Sequence, residues 1–306
     1  MEIPKLSTEN WENTPYPKTE YPKLASRFEE KEVSLETENK GTNELEKLEV
    51  RNKEVYVGIP ILAIVFAEIL IYFGRLKEAL WIHTVILITL SLSITFVKNK
   101  DVYKTYQALM FLPLLRLVNL SMPVFFDISL YSFVLIYAPL AVPVTIAVAY
   151  QQMTREDVGI IFRRIWLYIP FSVLISFLMG MEEYRIIQPG YLISDLSPLN
   201  ILKLTVVMVF FVGLIEEIIF RSVLQTRLNM IFGARRGILL SSMLFGLMHS
   251  GYGILYEILY TSVIGAILGY MFYKTRSLPL VTLVHGFMNV FIFGIFPHLG
   301  PGLGLL

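Results

Sequence analysis

The 306-residue chain contains no cysteine, which excludes a cysteine nucleophile, thiolate-held metals, iron–sulfur clusters and disulfides. Charge is scarce as well. Asp, Glu, Lys and Arg make up 17% of the residues, where a soluble domain carries about 25%. The first 30 residues hold no apolar run, so no cleavable signal peptide is expected and the first apolar span should act as the insertion signal. A dense basic surface is also missing, and with it the means to displace counterions from a nucleic acid.

What is present is apolar: 55% of the residues are hydrophobic and the mean hydropathy is +0.61. The near-balance of 26 bases against 25 acids is uneven along the chain. Residues 1–54 hold 13 acids and 9 bases, leaving 12 acids and 17 bases for the remainder. Residues 1–54 therefore read as an acidic tail, disordered over about 1–42, where Pro4, Pro15, Pro17 and Pro22 stand among Lys, Glu, Ser and Thr. A short helix over 44–54, with Leu45 and Leu48, leads into the first span.

Nine apolar runs approach the ~20 residues needed to cross a bilayer. They lie at about 55–74, 80–97, 106–126, 130–150, 165–180, 200–223, 237–250, 254–273 and 278–297, two of them short. The expected fold is all-α, a bundle of eight to nine transmembrane helices around an intramembrane polar cavity. Basic residues collect at Lys98, Lys100 and Lys104, at Arg155, Arg163 and Arg164, at Arg227, Arg235 and Arg236, and at Lys274 and Arg276. This alternation places the N-terminus in the cytoplasm and the C-terminus outside. Only the loop with Arg75 and Lys77 dissents, and a re-entrant hairpin of the first two runs would reconcile it. The division expected is 1–54 tail, 55–164 N-terminal spans, 165–297 catalytic core and 298–306 a short C-terminal tail.

A charge in hydrocarbon costs on the order of 2.5–3.5 kcal/mol, so each is a functional-site candidate. Glu68, Arg116, Glu216, Glu217 and Arg221 are the interior ones, three of them within LIEEIIFR. Glu217 and Arg221 stand at i and i+4, the favourable order for an intrahelical pair. Consecutive helical residues point about 100° apart, so Glu216 is expected to face a different partner and to remain without a sequence-local cation, free to act as a general base. Glu68 and Arg116 are expected to pair with each other or to face the cavity.

Of the four histidines, His249 ends MLFGLMH, with Phe245 one turn back, and His285 stands four residues before Asn289 in HGFMN. His83 and His298 lack such companions and read as interhelical hydrogen-bond partners. The EEYR run at 182–185 has the wrong spacing for a second motif and reads as a solvated interfacial segment. A carboxylate, an imidazole and a His/Asn pair on three helices form an inventory for activating water and stabilising an oxyanion.

The ordered set E-E-x-x-x-R at 216–221, F-x-x-x-H at 245–249 and H-x-x-x-N at 285–289 resembles the CPBP family. These are CAAX-protease and bacteriocin-processing intramembrane enzymes, and the resemblance covers about residues 165–297. It implies an endopeptidase in which Glu216 activates water with help from His249, while His285 and Asn289 stabilise the oxyanion. Arg221 would act through Glu217, and Phe245 would be structural. The substrate would be a membrane-associated peptide or protein, prenylated or not; the partners are that substrate and the lipid bilayer, without nucleic acid.

Rival intramembrane chemistries lack their residues: no Asp lies inside a span, no H-E-x-x-H exists, and Met248 stands where a rhomboid-like G-x-S-G needs glycine. No cofactor is favoured. The alternative is zinc held by Glu216, His249 and His285 with an open water position. Two other functions fit the composition: a silent membrane scaffold or immunity factor, and a transporter using Glu216 as a proton site. The absence of an internal repeat weighs against the transporter.

Overall fold

The computed structural model describes residues 48–125, 129–162 and 164–299. Within them all of the regular structure is helical, with no strand. The chain runs as α1 (Leu48–Tyr72), α2 (Leu76–Phe96), α3 (Lys100–Leu109), α4 (Phe111–Phe125), α5 (Leu130–Tyr150), the single turn α6 (Arg155–Val158), α7 (Ile165–Ile187), α8 (Pro198–Phe232), α9 (Ala234–Leu247), α10 (Leu255–Thr275) and α11 (Leu278–Leu299). Lys53–Leu306 form one compact unit. Nearly all of the acidic tail, including the stretch expected to be disordered, lies outside the described residues.

Seven helices, α1, α2, α5, α7, α8, α10 and α11, are long and apolar enough to cross a membrane. The protein is a polytopic helical membrane protein. Two of the nine apolar runs fall short of that length for identifiable reasons. The run at 106–126 is divided at Met110 into α3 and the 15-residue α4, and α9 has only 14 residues. The first two runs form helices of 25 and 21 residues, joined by a turn in which Gly74 takes φ +75°. Arg75 donates to Glu78 at 2.8 and 2.5 Å in that connection.

The outside of the bundle is apolar, and the charged side chains of the spans are gathered within an otherwise apolar interior. Trp81, Phe96, Trp166 and Tyr256 point outward, whereas Glu68, His83, Arg116, Glu183, Glu217, Arg221, Glu257 and His285 are buried. Pro139 and Pro143 lie inside α5, a placement that packed membrane helices tolerate.

Close helix contact is built on small residues. A Cβ on Gly286 of α11 would fall 2.6 Å from the Val209 Cα, and one on Gly213 of α8 would fall 3.1 Å from the Gly286 nitrogen. The two backbones thus touch one residue from His285 and four from Glu217. At the α9–α10 crossing, a Cβ on Gly246 would meet the Ser262 hydroxyl and, at 2.5 Å, the Ile258 carbonyl. Helix α8 itself widens into π-helical turns at Val207–Gly213 and Ile218–Gln225, on either side of Leu214–Glu217. Such turns are rare and recur at functional sites.

Candidate active site

A cavity of about 250 Å³ opens between α4, α5, α7, α8, α9 and α11. Glu216, Phe245, His249, His285 and Asn289 all line it. The three motifs, 33 and 36 residues apart along the chain, thus meet in one polar space. Glu217 and Arg221 lie behind the wall, fully buried.

Glu217 and Arg221 form the expected pair, with Nε 3.0 Å from Oε2. The other carboxylate oxygen, Oε1, lies 2.9 Å from His285 Nδ1. Glu216 has a partner of its own in the hydroxyl of Tyr137 on α5, and its Oε2 also lies 3.7 Å from Nε2 of the same imidazole. The expectation that the two acids share no partner is corrected by the shape of the ring, whose two nitrogens point to opposite sides and so face carboxylates from two faces of α8. Ser176 of α7 donates to the carbonyl of Val284 at 2.6 Å, fixing the α11 backbone beside His285. With Glu216 and Glu217 ionised and Arg221 and His285 cationic, this cluster sums to zero charge, the condition under which buried ions persist.

Phe245 stands at the centre of the site. Its ring packs edge-on to Phe220 at 5.1 Å and to His285 at 5.6 Å, and lies 5.3 Å from the His249 ring. The Arg221 guanidinium sits 4.7 Å from its centroid, a cation–π contact in a desolvated setting. This contact gives a face to the guanidinium nitrogens Nη1 and Nη2, which have no hydrogen-bond partner.

His249 follows the last turn of α9, and its Nδ1 lies 3.1 Å from the Phe245 carbonyl oxygen. A carbonyl only accepts, so Nδ1 carries the proton and Nε2 presents a lone pair. The turn around it is held from the N-terminal helices. Arg116 of α4 donates to the carbonyls of Met248 at 2.7 Å and Leu247 at 3.4 Å, and to Glu68 of α1 at 3.0 and 2.5 Å. Ser250 donates to Glu68 at 2.6 Å, and His83 Nε2 is 3.2 Å from the same carboxylate. Glu68 and Arg116 therefore pair, as expected. His83 on α2 meets Glu68 on α1 as an interhelical contact, whereas His298 reaches the connection between α7 and α8, 2.9 Å from the Ile193 carbonyl.

Three cavity residues escaped the sequence reading. Tyr137 of α5 donates its hydroxyl to Glu216 Oε1; nothing in its local pattern separates it from Tyr131, yet it is 4% exposed and Tyr131 60%. Tyr252 follows the His249 turn and stacks near that ring at 6.4 Å. Glu183 belongs to the EEYR run, and here the solvated-segment expectation is corrected. Glu182 and Arg185 are exposed and paired at 2.6 Å, but Glu183 and Tyr184 are buried, because residues three apart share the outer face of α7 while the two between them, each turned about 100° further, face the bundle.

The zinc alternative has a geometric test. Among the described residues, the group of three ligating side chains with atoms within 4.8 Å of one another is Glu183, His249 and Glu257. Glu216, His249 and His285 do not gather in this way, so no step through a metal on that set is derived.

No curated protein and no solved structure matches the chain. A family model does match: residues 198–291, which span α8 to the middle of α11 and carry all three motifs, are similar to the Rce1-like family, described as type II CAAX prenyl endopeptidase Rce1-like.

Proposed function

We propose that the protein is an intramembrane endopeptidase that hydrolyses a peptide bond of a membrane-associated, prenylated substrate through water activated by Glu216. The observation that carries this reading is the Glu216 carboxylate itself. It lines a cavity large enough for water and a peptide bond, with one oxygen on the Tyr137 hydroxyl and the other toward His285.

In this reading Glu216 takes a proton from water as the oxygen attacks the carbonyl carbon, with the His249 Nε2 lone pair helping to orient the water. The developing oxyanion is met by Nε2–H of His285 and by the Asn289 amide, one turn apart on α11. His285 can donate there as the imidazolium, a form that Glu217 stabilises by accepting its Nδ1–H. When the C–N bond breaks, the amine leaves with the proton held by Glu216.

The test is turnover of a quenched prenyl-peptide by the purified full chain in lipid or detergent. Glu216→Ala should lower it by about 10²–10⁴-fold, with an unchanged melting temperature showing that the fold survives. Equal turnover by both proteins would overturn the reading.

A further inference from the structure

Beside His249 the proposed reaction leaves two acids unused. Glu257 lies in the first turn of α10 and is fully buried, with neither carboxylate oxygen hydrogen-bonded. Glu183, in the last turns of α7, is 5% exposed and its Oε2 is likewise unpartnered. Their carboxylates and the His249 imidazole converge within 4.8 Å. A buried carboxylate without a donor is costly, and two facing each other repel. Arg185, the one cation on the same turn of α7, is turned outward to Glu182. Within this cluster His249 supplies no donor to either acid, because the single ring proton of the neutral imidazole is committed to the Phe245 carbonyl, so without a cation the two carboxyl groups can be satisfied only by a proton shared between them.

We infer that Glu183, His249 and Glu257 form a binding site for one divalent transition-metal ion of the zinc class. Two carboxylates neutralise a dication, and the imidazole selects zinc-like ions over magnesium or calcium. Bonds of about 2.1 Å in a tetrahedral site put ligand atoms about 3.4 Å apart, so the group has to contract by up to about 1.4 Å, a side-chain adjustment. The His249 ring is already prepared. Metal-bound histidines as a rule donate their second N–H to a backbone carbonyl or carboxylate, which fixes the tautomer, and Nδ1 makes that contact here. Three protein ligands leave a fourth position, and Glu183 and His249 both line the cavity, so that position opens toward water. The site shares His249 with the proposed reaction but does not rest on it.

The experiment measures binding, not turnover. Purified full-length protein is stripped with chelator, titrated with Zn²⁺ and separately with Co²⁺, and assayed for bound metal, for visible d–d absorption of Co²⁺ and for melting temperature. The wild type should take up one equivalent of Zn²⁺, show the intense bands of a low-coordinate Co²⁺ site and melt higher with metal; Mg²⁺ should do none of these. Glu183→Gln and Glu257→Gln should each weaken Zn²⁺ binding by at least about 10-fold. Because an amide can donate to the remaining carboxylate, the metal-free variants should melt no lower than the wild type, so that lost binding is not lost folding. Glu216→Gln should bind as the wild type does. Absence of a saturable equivalent in the wild type, or binding undiminished in both glutamine variants, would overturn the inference. So would binding lost in Glu216→Gln and kept in Glu257→Gln, which would return the metal to the Glu216, His249 and His285 set. A peptidase-silent protein that binds zinc through Glu183 and Glu257 would refute the proposed function and leave this site standing.

Discussion

The two histidines of the cavity are held by two buried ion networks of opposite construction. Around His285 the acid and base come from one helix, four residues apart, and Glu217 bonds directly to the ring. Around His249 the acid comes from α1, the base from α4 and a hydroxyl from the turn beyond α9, and none of them touches the imidazole. Arg116 holds the carbonyls of Leu247 and Met248 instead. One network sets the electrostatics of a side chain; the other sets the path of a backbone. The first should control what the imidazole can donate, and the second where its partner points.

Removing one member of a buried pair leaves the other charge uncompensated and costs about 3–5 kcal/mol. The largest effect is therefore expected for Arg221→Ala, which leaves two carboxylates, Glu216 and the fully buried Glu217, on the single cationic His285 and also removes the cation over Phe245. Stability should fall by that amount in a denaturation assay, and turnover should fall with it. If the loss comes from the stranded charge, Glu217→Gln combined with Arg221→Met should recover about 1–3 kcal/mol relative to the sum of the single changes. A strictly additive cycle would mean that the pair is not the unit.

Arg116→Ala should cost less, about 3 kcal/mol at the lower end of that range, because Glu68 keeps the Ser250 hydroxyl and the neighbouring His83. Its signature should differ. The turn carrying His249 loses its clamp, so hydrogen exchange at residues 247–250 should speed up while the α11 amides around His285 stay protected. If exchange rises equally at both histidines, the two networks are not separate and the comparison fails.

The sequence reveals these networks unequally, and the reason is range. Glu217 and Arg221 are legible because both partners lie on one helix face, and the three motifs identified Glu216, His249, His285 and Asn289 because each motif is local. The pairing of Glu68 with Arg116 followed from their cost in hydrocarbon, but their hold on the Met248 carbonyl depends on helices packed from distant parts of the chain. Glu183 was hidden by its position near a helix end, where Glu182 and Arg185 make the run look solvated. The π-helical turns that flank Glu216 carry no periodic signal, and the two short apolar runs differ from full spans only in where the helix breaks.

The smallest effect should come from the contact that links the halves at the reacting carboxylate itself. Tyr137 lies on α5, outside the stretch with recognisable motifs, and its hydroxyl is a neutral donor to Glu216. Losing one hydrogen bond to a charged group is worth about 1.5–3 kcal/mol, but part of that is returned because water in the cavity can replace the phenol. Tyr137→Phe should thus lower kcat by about 10-fold, or about 1.4 kcal/mol, with KM and melting temperature little changed. That split separates it from both ion networks, whose loss should reach stability first. A fall in melting temperature comparable to that of Arg116→Ala would show that Tyr137 braces α5 against α8, and that Glu216 is positioned by packing and not by its donor.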